Sequence, residues 1–578
     1  MHADATLGGT GKHCLTIRRM TNRLRPTPHP LHGIGRNPLT LALWAGLWIA
    51  ALPNWPLWQA LAALPEMGTP RGVLFGVGFG AMIAALTTAL LALAAWRWSI
   101  KPAIALVLLA AAFGAHFMAS YGVVIDATMM TNVMQTDPRE VRDLLNLRLA
   151  ATVGVLAVLP LALLWRTRVQ QLRFAAQLGR NLLGAVGAVL VLVALLYALF
   201  ADLSATMREH TSMRYLINPL NSFYALADLA VQSRSRPGGP PQAIGLDARI
   251  AARTAGSRAP LLLLVIGETA RADHFAVNGY GRATTPQIEL LHFTSFSNVS
   301  SCGTSTATSL PCMFSALGKA GFERRDHDHE NLLDLVQRSG MAVLWLDNQA
   351  GCKSLCERVP NAYAHTPATG AKPLPPTLCA DDECLDEALL AGLDERLAAL
   401  PAERRERGVL LVLHQMGSHG PAYYKRSPPE RKPFVPECRT NALQQCDRQS
   451  LVNAYDNSIA YTDVVLAQAV QWLMRQRASY DPALLYVSDH GESLGENNIY
   501  LHGLPYAVAP REQTHVPMLW WQPDPAATLT RPAAACLKAG AGQALTHDNL
   551  FHTALGALGV QASEYKPALD AFAACRAR

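Results

Sequence analysis

Residues 301–315, Ser-Cys-Gly-Thr-Ser-Thr-Ala-Thr-Ser-Leu-Pro-Cys-Met-Phe-Ser, crowd hydroxyls between two cysteines directly after an apolar and aromatic run. A hydroxyl is a poor nucleophile near neutral pH, and coordination to a metal ion lowers its pKa enough to make it a good one. Thr304, Thr306 and Thr308 are the candidates, and spacing alone does not choose among them. Groups that could hold such a metal lie elsewhere, each just past a short apolar run. Glu268 follows Leu261 to Ile266, His419 lies shortly after Val409 to Leu413, and Asp489-His490 follow Leu484 to Val487, with His502 a little further on. Carboxylate and imidazole together favour zinc over the all-oxygen preference of magnesium. Taken singly, each has an ordinary reading as a helix cap or surface histidine. Their joint occurrence after three apolar runs is what points to one site.

Those apolar runs, with Ala342 to Leu346, are short, followed by polar turns and separated by helical stretches. Strands alternating with helices in this way predict a doubly wound α/β sheet, in which ligands bind beyond the carboxyl ends of the strands. The predicted catalytic unit runs from 258 to 578. Ahead of it, residues 203–257 read as an interfacial helix, with Arg208, Arg214, Tyr215, Phe223 and Tyr224, followed by a linker beginning at Ser233-Arg-Ser-Arg-Pro-Gly-Gly-Pro-Pro-Gln.

At 578 residues the chain exceeds what one core supports. Residues 37–202 contain five stretches without Asp, Glu, Lys or Arg: 37–65, 72–96, 102–125, 149–165 and 181–201. A bilayer crossing needs about 20 apolar residues, so an all-α domain of five transmembrane helices is expected, the fourth the weakest because it is short and contains Pro160. The leader 1–36 is basic and so is the loop 166–180, which places both in the cytoplasm. An odd number of crossings then exports everything after residue 202. The leader lacks a cleavage site after a short apolar core, so the first span is an uncleaved export signal, and Met20 is an alternative start. Of eleven cysteines, only Cys14 precedes the last span. Eight fall in close pairs, Cys302 and Cys312, Cys352 and Cys356, Cys379 and Cys384, Cys438 and Cys446, with Cys536 and Cys575 as a long-range fifth pair. Such pairing suits an oxidising compartment. With membrane spans present, the net charge of +7 is no argument for nucleic acid.

The segments GETARADHFAVNGYGRATTP, SCGTSTATSLPCMFS, HQMGSHGPAYYKR, NAYDNSIAYTD and YVSDHGESLGENNIYLHG together resemble the phosphoethanolamine transferases that modify lipid A, including the mobile colistin-resistance enzymes. The likeness runs from about residue 38 to near the end of the chain. It implies an alkaline-phosphatase-like catalytic domain in the periplasm, anchored in the bacterial inner membrane by five helices. It also singles out Thr306 as the nucleophile, with Glu268, Thr306, Asp489 and His490 holding a catalytic Zn2+. His419 and His502 would position the substrate phosphate, bind a second zinc or give a proton to the leaving group. Lys353 would contact the donor phosphate, although this chain has Ala350 where relatives often carry Ser. Asn132, Thr136 and Glu140 would meet the ethanolamine end, while Asp137-Pro138 beside them also reads as an ordinary helix start. The implied donor is phosphatidylethanolamine, the acceptor a lipid A phosphate, the kinetics ping-pong and the enzyme a monomer; polymyxin resistance would follow from masking a phosphate charge. Three other readings remain: a hydrolytic sulfatase or phosphatase, a phosphoglycerol transferase, and a non-catalytic envelope protein. The Cys or Ser with x-Pro-x-Arg that a sulfatase typically needs is absent around 302–315. Acceptor choice between lipid A, core heptose and another glycan is left open.

Overall fold

The computed structural model describes residues 35–577 apart from 137, 171, 236–238, 381, 382, 525 and 527. The leader through residue 34, with Cys14 and Met20, lies outside the described residues, as do Asp137, part of the linker and the side chain of Glu140. The membrane part begins with α1 (Pro38–Ala51), α2 (Trp55–Ala62), α3 (Pro70–Leu93) and α4 (Ile100–Tyr121). Two short helices follow, α5 (Ala127–Gln135) and α6 (Pro138–Leu144), then α7 (Leu147–Arg166) and α8 (Phe174–Ala198). Finally α9 (Phe200–Glu209) and α10 (Leu220–Ser235) occupy the region expected to lie along the interface.

Among the described residues four helices, α3, α4, α7 and α8, are long and apolar enough to cross a membrane. The first expected span, 37–65, is instead divided, and α1 at 14 residues reaches about 21 Å, short of a hydrocarbon core of about 30 Å. The cause is Pro53, which has no N–H to give to the carbonyl four residues back. That carbonyl, Ile49 O, accepts instead from Asn54 Nδ2 at 2.9 Å, and Asn54 also exchanges bonds with the backbone of Asn218. Pro160 acts the same way in α7. A wide π turn at Gly154–Val158 precedes it, and the freed Leu156 carbonyl accepts from Trp48 Nε1 at 3.1 Å.

The catalytic part is built on an eight-stranded sheet: β1 (Ala259–Gly267), β2 (Thr294–Ser300), β3 (Ala342–Asp347), β4 (Asn361–Tyr363), β5 (Val409–His414), β6 (Tyr480–Ser488), β7 (His515–Trp521) and β8 (Leu545–Thr546). Their order is β8-β2-β7-β6-β1-β5-β3-β4. The run β6-β1-β5-β3-β4 is parallel, and β7 is antiparallel to both its neighbours. In β1, Leu261, Leu263 and Val265 pack into one core and Leu262, Leu264 and Ile266 into the other. Burial on both faces explains why the strand reads as an unbroken apolar run. Helix α11 (Thr306–Met313) carries a candidate site residue, while α12 (Arg448–Gln476) and α13 (Asp548–Leu558) pack on the sheet. Ile244, ahead of the sheet, is buried in the second core, and Arg249–Ile250 pairs with Val560–Gln561.

Candidate active site

Parallel pairing of β1 with β6 sets Gly267 opposite Ser488. The residues that follow, Glu268 from one strand and Asp489-His490 from the other, therefore emerge side by side, all fully buried. Asp489 N–H donates to the Gly267 carbonyl at 3.0 Å and closes the ladder. Thr306 is the first residue of α11, and its Oγ1 lies 3.0 Å from each Glu268 carboxylate oxygen and 3.3 Å from His490 Nε2. The other two threonines have different work. Thr304 Oγ1 donates to the Leu504 carbonyl at 2.7 Å, and Thr308 Oγ1 sits 3.3 Å from Ser305 Oγ. Only side-chain direction, which spacing does not carry, separates the three.

Glu268, Asp489 and His490 present ligand atoms within 4.8 Å of one another. Burial raises the Glu268 carboxyl above its ordinary value, and the neighbouring Asp489 charge raises it further. Asp489 Oδ2 is buried and accepts no hydrogen bond among the described residues. Two carboxylates crowded out of water, one with an orphaned oxygen beside an imidazole, fit a bound cation, and the mixed oxygen and nitrogen donors fit zinc.

His502 lies beside the cluster, its ring centroid 4.4 Å from that of His490 and 5.5 Å from that of His419, tilted against both. Burial holds His419 well below the usual histidine range, with repulsion from His502 adding to it. The ring of His502 is oriented by Glu492, whose Oε2 lies 2.8 Å from Nδ1, and the other oxygen of Glu492 accepts from the Tyr423 hydroxyl. Lys353, at a positive φ of 48°, points its amine at the Ala350 carbonyl (3.3 Å) and at Gln135 O of α5 (3.5 Å). Asn132 and Thr136 lie on the same segment, where Thr136 Oγ1 donates to the Asn132 carbonyl at 2.8 Å, and α5 packs against α11. The four metal candidates and the two histidines thus converge, and Lys353 and the α5 segment lie against the same end of the sheet.

All five cysteine pairs are disulfides, Cys536–Cys575 included. Cys302–Cys312 ties the loop before Thr306 to the last turn of α11. That loop is also pinned by residues that the sequence reading passed over. His547 Nδ1 accepts from Cys302 N–H at 3.0 Å while Nε2 meets the Ser488 carbonyl at 2.9 Å, and Ser309 Oγ donates to Asp489 O at 2.5 Å. His414, the last residue of β5, was also missed; it lies 3.8 Å from Glu268 and is paired at 2.9 Å with Asp347, the last residue of β3. Both are the first residue past an apolar run, Ala342 to Leu346 and Val409 to Leu413, and that position was the signal that could have found them.

Residues 260–560 match the profile of the sulfatases, so fold, site and sequence place the catalytic half in the alkaline phosphatase and sulfatase superfamily. Residues 83–234 match the profile described as phosphoethanolamine transferase EptA/EptB. Phosphatidylethanolamine transferase Mcr-2 of Escherichia coli is 36% identical over 549 residues, 93% of this chain and 98% of that protein. Phosphoethanolamine transferase EptA of Escherichia coli K12 is 38% identical over 526 residues, 90% of this chain and 93% of its own length. The integral membrane lipooligosaccharide phosphoethanolamine transferase A of Neisseria meningitidis superposes with a TM-score of 0.85 at 31% identity, covering 93% of this chain and 99% of that structure. The chain belongs to the phosphoethanolamine transferase family.

Proposed function

We propose that this chain moves phosphoethanolamine from phosphatidylethanolamine to a lipid A phosphate at the periplasmic face of the bacterial inner membrane. The observation that carries the reading is the position of Thr306 Oγ1, 3.0 Å from Glu268 and 3.3 Å from His490 Nε2 at the opening of a helix. In the first half-reaction the Thr306 hydroxyl releases its proton to solvent, and its Oγ1 forms a bond to phosphorus as the phosphorus–oxygen bond to diacylglycerol breaks. His419 or His502 delivers the proton that the departing alkoxide takes up. In the second, a lipid A phosphate oxygen attacks the phosphothreonine and the Thr306 oxygen leaves. Zinc held by Glu268, Thr306, Asp489 and His490 would supply the positive charge that lowers the hydroxyl pKa and offsets charge on the phosphoryl group. One tightly bound ion suffices for this, and His419 and His502 are the groups that would hold a second. The backbone N–H groups at the start of α11 favour an anionic phosphoryl group there.

Lys353 would neutralise the donor phosphate, while Asn132, Thr136 and Glu140 receive the ethanolamine ammonium. The chain works as a monomer in five crossings, with α1 and α2 together making the first, so that residues 37–202 span the membrane, 203–257 lead from the interface into the catalytic unit that Ile244 and Arg249–Ile250 already join, and 258–578 face the periplasm. The relatives' names support this donor, and masking a lipid A phosphate would weaken binding of cationic polymyxins. The test is mass spectrometry of lipid A from cells expressing the chain. A phosphoethanolamine increment that disappears in Thr306→Ala is expected. Unmodified lipid A beside a modified core heptose or other glycan would reassign the acceptor, and an increment that survives Thr306→Ala would remove the threonine from the mechanism.

A further inference from the structure

The loop 419–426 carries one histidine of the site and supports the other. His419 begins it; Tyr423, at its middle, donates to Glu492, which orients His502. Arg426 closes it, with Nε donating back to the His419 carbonyl at 2.8 Å. Arg426 is buried, and its remaining donors leave the loop in two directions. Nη1 reaches Glu383 Oε1 at 2.6 Å beside the Cys379–Cys384 disulfide, and Nη2 lies 3.6 Å from Asp143 Oδ2 at the end of α6. Asp143 is itself buried, accepts from Lys425 Nζ at 2.5 Å, and receives Asn441 Nδ2 on its backbone carbonyl at 2.7 Å. One carboxylate of the segment joining two membrane helices therefore faces two adjacent cations at the end of the histidine loop. A buried guanidinium missing one of its carboxylates is costly to keep in place, so the loop's geometry depends on Asp143 being present.

We infer that Arg426 is a positioning residue that couples the docking of the segment 126–146 to the seating of His419 and His502. The two histidines are then correctly placed only when the membrane domain is engaged, which restricts turnover to the membrane surface. This inference rests on the phosphoryl-transfer reading above.

The test uses the full chain with two substrates: phosphatidylethanolamine in mixed micelles, and the water-soluble ester p-nitrophenyl phosphoethanolamine, which needs no membrane to reach Thr306, releases p-nitrophenolate and leaves a phosphothreonine that water or an added lipid A phosphate takes off. Asp143→Asn is expected to lower kcat for the soluble ester about tenfold with KM unchanged, and Asp143→Glu to restore most of it. Arg426→Lys, which keeps a cation for Asp143 and Glu383 but loses the Nε–H bond to His419, is expected to lower kcat similarly, so that a misfolded Asp143→Asn does not decide the matter. Wild-type turnover of the soluble ester in both variants, with any loss confined to the lipid donor, would reduce Asp143 to a docking contact and overturn the coupling. Soluble-ester turnover that survives Thr306→Ala would instead sink the functional reading on which the coupling rests.

Discussion

At the carboxyl edge of the sheet the candidate catalytic groups are held by strands, whereas the segment 126–146 opposite them is held by docking. Glu268, Asp489 and His490 each follow a strand buried on both faces, and the loop that carries Thr306 is fixed by a disulfide, a helix start, the Cys302 N–H bond to His547 and the Ser309 bond to Asp489 O. On the other side, Asn132 and Thr136 are half-buried, Met134 is 69% exposed, and the segment meets the catalytic unit through Lys353 with Gln135 and Lys425 with Asp143. The first arrangement suits chemistry, which tolerates little displacement. The second suits two substrates that arrive through a lipid surface. Damage to the strand-end cluster should therefore remove kcat, and damage to Asn132 and Thr136 on the docked segment should mainly raise KM for the lipid donor, whereas Asp143, which acts through Arg426, belongs with kcat.

The largest effect is expected for the carboxylates. Glu268→Gln and Asp489→Asn each remove a charge from the donor set, and kcat for either substrate should fall by about 10³ or more. Chelation of the wild-type chain should cost as much and be reversed by added zinc, with metal content measured by mass spectrometry. A variant that loses metal yet keeps its rate would separate the cluster from the chemistry.

The disulfides give a finer comparison. Opening Cys302–Cys312, ten residues apart, should cost about 2–3 kcal/mol of stability by loop entropy, and opening Cys536–Cys575, 39 residues apart, somewhat more. Stability and rate should part company here. Cys302→Ser/Cys312→Ser should lower kcat about tenfold at a temperature where the chain remains folded, because Thr306 sits inside the clamp. Cys536→Ser/Cys575→Ser should lower only the melting temperature. Equal rates in the two variants would mean that the hydrogen bonds to His547 and from Ser309 hold the Thr306 loop without the clamp.

On the docked side, Asn132→Ala and Thr136→Ala should each raise KM for phosphatidylethanolamine by about three- to tenfold with kcat near wild type, the loss expected of one or two polar contacts. A matching fall in kcat would place these residues with the strand-end cluster instead.

The same division decides what could be read from the sequence. β1, β5 and β6 are continuous apolar runs because both their faces are buried, so the residue after each run falls at the sheet edge with little freedom, and Glu268, Asp489 and His490 follow. The choice among Thr304, Thr306 and Thr308 depends on which way side chains leave one turn, and the bonds of Thr304 to Leu504 and Thr306 to Glu268 are long-range. His547 was illegible for the same reason, since its partners Cys302 and Ser488 lie 245 and 59 residues away. In the membrane part, counting charge-free residues located the long helices, but it took no account of where a proline frees a carbonyl. Pro53 and Pro160 do so at Ile49 and Leu156, and buried polar side chains from elsewhere supply the missing donors.

The smallest effect tests whether a titrating group remote from both regions leaves catalysis alone. His552 on α13 is buried among Phe551 and Tyr565, and its Nδ1 accepts from Lys566 N–H at 3.2 Å. Burial, with the Lys566 charge adding to it, lowers its pKa from 6.5 to about 4. The folded value lies below the unfolded one, so the unfolded chain binds the proton first as pH drops. The stabilisation is complete above pH 6.5 and is lost as pH falls from there through 4, on the order of 1 kcal/mol at pH 5 once solvent screening is allowed for. His552→Gln keeps an acceptor for Lys566 N–H without titrating, so its melting temperature should fall less than that of wild type between pH 7.5 and 5. Its kcat and KM for both substrates should match wild type across the same range. If the two chains lose stability in parallel, the acid sensitivity belongs to other groups, and a change in kcat would tie α13 to the nucleophile loop that His547, five residues earlier, already holds.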